Sequence, residues 1–570
     1  MQLLAKLCER IAATTKKSEK VSLLAEYLRS SEPQETAVAA VFLAGRAFPA
    51  FDQRTLQIGG STLWKLVSEI TGARESAMTA AYRKRGDLGA AAYDVLLAKA
   101  PQTSTIAVQE VRATFDQIAP TRAPAAKAAL LKALLERATA LEAKYILKII
   151  TSELRIGLKE SLVEEAIASA YGEPLALVQR ANMLLGDIGG TLLLAAEHRL
   201  DAARMRLFHP IGFMLASPAA DVEEAFHYFE QAQVEDKYDG IRAQAHCAGG
   251  QVRLFSRTLD EVTPSFPELV APLGEFSGDV LLDGEIVAWR HDEDGGHALP
   301  FGEIQKRLGR KQVSQKLIDE VPVAYVVFDV IYADGELMLD KPLSERMQVL
   351  DRVFGGATRV APRPVVNAQG NLLLEFEVAE EHAASGWALR APSMRADSPA
   401  QLERYFEAAM ARGNEGLMIK DITSPYMPGR RGRWWLKLKR ELATLDVVVT
   451  AAEFGHGKRI HVLSDYTFAV RQGEELVNIG KAYSGLTDNE IAELTEWFLA
   501  HTTADHGHLR EVEPKIVLEV AFNAIMRSDR HDSGYALRFP RIVRVRSDKL
   551  PKDIDTVETV EQIYKRQHGR

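Results

Sequence analysis

Cysteine is nearly absent: the 570 residues include only Cys8 and Cys247. Two thiols so far apart build neither a disulfide framework nor a four-cysteine zinc module, and a reducing interior is expected. Long apolar runs are missing too. The longest uncharged apolar run, AVAAVFLAG at 37 to 45, falls far short of the ~20 residues that span a bilayer. The first residues, MQLLAKLCERIAATTKK, scatter charge among apolar side chains and show no small-residue cleavage site after an apolar block, unlike a secretory signal. No G-x-x-x-x-G-K-[ST] loop occurs, and GHGKR at 455 to 459 departs from that pattern, so phosphate chemistry would need another design. Internal repeats and low-complexity tails are also lacking. A net charge of −8 excludes a uniformly basic surface. That charge is uneven: residues 1 to 208 carry 27 Lys and Arg against 22 Asp and Glu, the remainder 43 against 56. Any nucleic-acid contact is therefore expected in the N-terminal part.

What is present is the balance of an ordinary globular protein, 46% hydrophobic and 26% charged. The length suggests about three or four units. From residue 1 to about 200, Ala and Leu recur at three- and four-residue spacing, as in AALLKALLERATALEAKYILKII at 128 to 150, which is helical periodicity. Prolines gather in APTRAPAAK near 119 to 127, marking a loop. Ser161 with Glu164 fits a capping box for the helix that ends near Gly172, and the Arg155-Ile-Gly-Leu turn before it offers backbone N–H groups to a phosphate. After Phe208-His-Pro210 the texture changes to short β-branched and aromatic runs: QVRLFSR, DVLLDGEIVAW, VPVAYVVFDVIY, EGLMIK and WWLKLK. A helical interlude at 399 to 412 makes this an α+β unit to about residue 440. Beyond it, five strand-like runs from DVVVTAAEF to RIVRVRS, with one helix near 487 to 500, fit a small oligonucleotide-binding (OB) barrel.

Charged residues recur where an apolar strand should run. In VEDKYDGIR, 234 to 242, the Asp-Gly pair suits a hairpin turn that leaves Lys237 merely exposed. Lys-x-Asp-Gly arises by chance in roughly one chain in ten of this length, so other residues must decide. Strand alternation places Lys437 and Lys439 on one face of WWLKLK, opposite Leu436 and Leu438. Glu285, inside the apolar VLLDGEIVAW, needs a partner if buried. Glu415 opens another apolar strand, where a solvated strand end is the plain alternative. Separated carboxylates among several Lys and Arg suggest a site for a polyphosphate and its magnesium.

The ordered series EDKYDGIR, LFSR, LLDGEIVAW, YVVFDVIY, EGLMIK, WWLKLK and ALRFPRIVRVRSDK closely resembles the ATP-dependent DNA ligases, which are covalent nucleotidyltransferases. The helical region also resembles that family's DNA-binding domain, so the resemblance covers the whole chain. It implies an all-α DNA-binding domain at 1–208, an α+β adenylation (nucleotidyltransferase) domain at 209–440 and a C-terminal OB-fold β-barrel at 441–570. Lys237 would attack the α-phosphorus of ATP to form a lysyl-adenylate, which requires a neutral amine that nearby cations would favour. Glu235 would recognise adenine and Phe328 would stack on it. Arg242 and Arg257 would contact ribose and phosphates, and Arg431, Lys437 and Lys439 the phosphates. Glu285 and Glu415 match the carboxylates at the sugar and at Mg2+. Arg541, Arg546, Asp548 and Lys549 would close over pyrophosphate.

The implied partner is nicked double-stranded DNA, encircled by a monomer, with no membrane involved. The implied setting is the cytoplasm of a bacterial or archaeal cell, at the nucleoid, in replication, repair or recombination. RNA ligases and mRNA-capping nucleotidyltransferases share the lysine and carboxylates, but typically lack the helical region. NAD-dependent DNA ligases carry a four-cysteine zinc module that two cysteines cannot build. A noncatalytic DNA-binding scaffold would have had no need to keep every residue the chemistry uses.

Overall fold

A computed structural model of the chain describes residues 1–229, 232–290, 296–308, 310, 313–355, 363–366, 372–375, 387–439, 443–455 and 459–567. Most of GHGKR and the expected boundary at 440 and 441 lie outside the described residues. Two compact units are formed, one from residues 1–74 and 92–440, the other from 75–91 and 441–570.

Helices fill the first 200 residues, as the 3.6-residue apolar spacing requires. Gln2–Ala12 buries Leu4, Leu7, Cys8 and Ile11, and Ala140–Ile150 buries Ile146, Leu147 and Ile149. The capping box belongs to the second of these: Thr139 and Glu142 exchange side-chain and backbone hydrogen bonds. The box expected at Ser161 is not formed. That helix spans Glu160–Tyr171 with Lys159 at its N-cap and no side-chain cap, so Ser161 is already inside the first turn. Glu160 and Glu164 instead both accept hydrogen bonds from the Asn182 amide at 2.9 Å. At the expected proline loop, Pro124 starts the helix Pro124–Leu135, the position where a missing N–H costs nothing.

Two sheets follow. One orders Leu215–Ala219, Arg431–Lys439, Gly416–Asp421, Ala232–Asp236 and Ser393–Ala396 as neighbours. The other orders Ala388–Arg390, Val323–Ala333, Val280–Arg290, Ile241–Ala248 and Gln251–Ser256. Each sheet buries one face in its own core: Val234, Leu417, Ile419, Leu436 and Leu438 for the first, Leu254, Leu282, Ile286 and Tyr325 for the second. The hairpin expected at Asp-Gly is absent. Ala232–Asp236 and Ile241–Ala248 lie in different sheets, so residues 237 to 240 cross from one to the other. Gly240 makes the crossing possible, since a Cβ there would lie 2.3 Å from the Ile286 carbonyl oxygen.

In the second unit, the 12-residue strand Ala443–Phe454 pairs with Val517–Phe522 along its first half and with Leu463–Gln472 along its second. Register shifts after Val449 and Glu453 let it bend between partners. Glu475–Ala482 and Arg541–Val545 extend the curled, OB-like sheet, and the helix Asp488–Ala500 lies between strands as the sequence predicts. The short hairpins Thr502–Asp505 with Leu509–Val512 and Ala524–Arg527 with Tyr535–Arg538 add strands that five apolar runs did not indicate. Among the described residues, no helix is long and apolar enough to cross a membrane.

Candidate active site

Strand register gathers the charges. Gly416–Asp421 runs antiparallel between Ala232–Asp236 and Arg431–Lys439, with Met418 opposite both Glu235 and Lys437, and Gly416 opposite Lys439. Lys237 prolongs the ladder: its N–H donates to the Gly416 carbonyl and its carbonyl accepts from the Glu415 N–H, both at 2.8 Å. Because alternate side chains share a face, Glu235, Met418, Lys420, Trp435, Lys437 and Lys439 all line one cavity, whereas Leu417, Ile419, Leu436 and Leu438 turn to the core. Gly416 leaves the gap between Lys237 and Lys439 open. Its φ of +138° and a Cβ position 2.1 Å from the Leu438 carbonyl oxygen leave no room for a side chain.

Glu415 is no solvated strand end. One of its carboxylate oxygens, Oε2, pairs with both Lys237 Nζ and Lys439 Nζ, the latter at 2.6 Å. Burial would raise its pKa, but the two ammonium groups outweigh it and hold the carboxyl below the usual range. Lys437 has the opposite environment: burial and then the charges of Lys439, Lys237, Arg431 and Arg257 all lower its pKa. Arg257 and Arg431 line the same cavity.

From the second sheet come Arg242, Glu285 and Phe328. The sequence marks Glu285 as the carboxylate needing a partner, yet the partner goes to Asp283, two residues earlier on the same strand. Fully buried, Asp283 accepts from Arg242 Nε and Nη2 at 3.1 and 2.7 Å and from the Tyr426 hydroxyl at 2.7 Å. Arg242 also donates to the Met214 carbonyl at 2.7 Å and lies over the rings of Phe213, Phe328 and Trp435. Glu285 makes no hydrogen bond or ion pair among the described residues. Burial pushes its carboxyl up to about 7, only partly relieved by Lys237 and Arg242.

Three further groups escaped the sequence reading. Lys420, 1% exposed, pairs with Glu235 at 2.6 Å and lies 4.5 and 4.4 Å from the ring centres of Phe328 and Trp435. Gln233 donates to the other Glu235 oxygen at 2.6 Å. Beside the nucleophile candidate, Asp236 accepts from Arg412 Nε and Nη2 at 2.9 and 2.7 Å and from Asn414 at 2.7 Å. The signal for Lys420 and Asp283 was available: each is a charge inside an apolar strand, the same anomaly that singled out Glu285. Arg541, Arg546, Asp548 and Lys549 belong to the other unit. There Arg546 pairs with Asp548 and Asp446, and Lys549 also reaches Asp446.

The arrangement offers an amine nucleophile, cations for phosphate oxygens, two carboxylates and an aromatic face, in one cavity built from both sheets. Comparison with known proteins finds relatives along the whole chain. Residues 1–168 match the family described as DNA ligase N terminus, residues 213–439 the ATP dependent DNA ligase domain, and residues 459–549 the ATP dependent DNA ligase C terminal region. A probable DNA ligase of Koribacter versatilis is 62% identical over 569 residues, covering 100% of this chain and 97% of that one. The DNA ligase of Archaeoglobus fulgidus is 33% identical, over 99% of this chain and 98% of its own. In fold, the solved structure described as Pmar-Lig_PreS3 superposes over 95% of this chain and 99% of its own with a TM-score of 0.60 at 15% identity. The chain belongs to the ATP-dependent DNA ligase family.

Proposed function

We propose that this DNA ligase seals nicks in duplex DNA through a lysyl-adenylate on Lys237. The observation that carries the reading is the convergence of Lys237, Lys437 and Lys439 on the cavity that Glu235 and Phe328 also line, with Glu415 pairing with both Lys237 and Lys439. In the first step the unprotonated Lys237 nitrogen bonds to the α-phosphorus of ATP as the bond to the bridging oxygen breaks and pyrophosphate leaves. The AMP then passes to the 5'-phosphate at a nick, freeing the amine. Finally the neighbouring 3'-hydroxyl oxygen attacks that phosphorus and AMP departs. At each step the protein's contribution is positioning and charge stabilisation. Glu415 orients the amine from one side, and Lys437 and Lys439 face the phosphate oxygens. Glu235, held by Lys420 and Gln233, presents acceptors to the amino group of adenine, with Phe328 stacked on the ring. Arg242, Arg257 and Arg431 serve ribose and phosphates.

A magnesium ion fits this donor set. Glu285 is a carboxyl raised by burial and without an ionic partner among the described residues, and with Glu415 and substrate phosphate oxygens it would hold a hard cation. When bound, that ion polarises the phosphate and neutralises charge. The duplex is gripped through its backbone by the helical domain 1–208, while the adenylation domain 209–440 and the OB domain 441–570 complete a monomer around it. Arg541, Arg546, Asp548 and Lys549 serve the pyrophosphate.

Incubation with labelled ATP and Mg2+ should give a covalent AMP adduct that is lost in Lys237→Ala and chased by nicked DNA into sealed product. An adduct that survives the substitution, or none in the unaltered protein, refutes the reading. Transfer of GMP in place of AMP would refute the assignment of Glu235.

A further inference from the structure

The loop carrying Arg257 holds an unusual conformation, and something outside its sheet holds it. Residues 256 to 261 fold back on themselves: the Ser256 N–H donates to the Asp260 carbonyl at 2.9 Å, the Leu259 N–H to the Ser256 carbonyl at 2.8 Å, and Phe255 bridges to Glu261. Leu259 sits in the left-handed region with a φ of +68°, which is rare for a side chain of its size and persists only where the surroundings enforce it. Beyond these local hydrogen bonds and that of the Val262 N–H to the Leu254 carbonyl at 2.8 Å, the turn is held from the N-terminal helical region, about 200 residues earlier. Gln53 Nε2 donates to the Leu259 carbonyl at 2.9 Å, and Gln53 Oε1 accepts from the Glu261 N–H at 2.9 Å. One planar amide thus satisfies both polar backbone groups on the strained side of the loop. Gln53 itself is well anchored. Phe51, two residues earlier, stacks flat on His209 with ring centres 4.1 Å apart, and its N–H donates to the Gly186 carbonyl at 3.1 Å.

We propose that Gln53 is a positioning residue for the nucleotide site: it clamps the Leu259 turn and so keeps Arg257 at the cavity, making ATP capture depend on the docked helical region. The inference rests on Arg257 being a nucleotide contact. Without the clamp, two backbone groups lose their partners and Leu259 is free to leave its strained geometry, so the loop samples conformations that withdraw Arg257. A helical region that follows DNA then also reports to the nucleotide pocket.

The test measures lysyl-adenylate formation against ATP concentration in the full-length protein with Mg2+, for Gln53→Leu, Arg257→Ala and the double variant. Two neutral hydrogen bonds at about 1 kcal/mol each predict a rise of up to roughly thirtyfold in half-saturating ATP for Gln53→Leu, with the maximal rate little changed. In the Arg257→Ala background the same substitution should add almost nothing, because its effect runs through Arg257. An unchanged ATP dependence in Gln53→Leu, a fall in maximal rate alone, or effects that multiply in the double variant would overturn the proposal. If Arg257→Ala itself binds ATP normally while Lys237→Ala abolishes the adduct, the nucleophile assignment stands and the Gln53 proposal falls.

Discussion

Glu285 is a carboxyl held where its charge is disfavoured. It titrates at about 7 against an ordinary 4.5, chiefly through burial. As pH rises through that window the unfolded chain gives up a proton that the folded chain keeps, so the folded state binds more protons and stability falls between about 4.5 and 7. Glu285→Gln removes this penalty. Without nucleotide or metal, the variant should gain on the parent by roughly 1–3 kcal/mol between pH 5 and pH 8 in urea unfolding. A difference that does not grow with pH would show that Glu285 is not the uncompensated group. The same strand shows how near the sequence reading came. The apolar pattern of LLDGEIVAW points to Glu285 as the carboxylate that needs a partner, whereas Arg242 and Tyr426 pair with Asp283. Parity cannot make that choice, since Asp283 and Glu285 alternate with the same neighbours and differ only in what lies across the sheets.

At the scale of elements, three strands act as one device. Glu235, Met418 and Lys437 form one cross-strand row, and Lys237, Gly416 and Lys439 the next. The shared face of Lys437 and Lys439 follows from alternation within a single strand and was legible in WWLKLK. The bridging of Lys237 and Lys439 by Glu415 was not, because it depends on which strand lies between. Gly416 is where the device is most exposed to damage. Gly416→Ala would drive a Cβ into the Leu438 carbonyl at a φ unfavourable to alanine, costing at least about 2 kcal/mol and separating Lys237 from Lys439. Chemical unfolding together with the adenylation assay checks this. A variant of parental stability and full adduct yield would mean that the strand tolerates the shift. The Arg412–Asp236–Asn414 cluster supports the same row from the end of the helix Pro399–Ala411, since Asp236 precedes Lys237 and Asn414 precedes Glu415.

At the scale of the molecule, the helical region carries the modest positive excess and the rest of the chain is acidic. Duplex binding through phosphate contacts should therefore weaken linearly in log affinity with log salt concentration, irrespective of sequence. Fluorescence anisotropy with two unrelated nicked duplexes over a salt series tests it: a flat salt response, or a strong preference for one sequence, would contradict backbone gripping. Local features of the chain suffice for the class of each region and for picking out Lys237, Glu285, Glu415, Lys437 and Lys439. Periodicity and side-chain alternation are properties of a few consecutive residues, and the motif order is written along the chain. They do not suffice for Lys420 beneath Glu235, for the crossing at Gly240 that looked like a hairpin, or for Gln53 on the turn of Leu259. Those contacts join residues tens to hundreds of positions apart. They are chosen by the burial of whole sheets and helices against one another, a free energy that no short window of sequence contains.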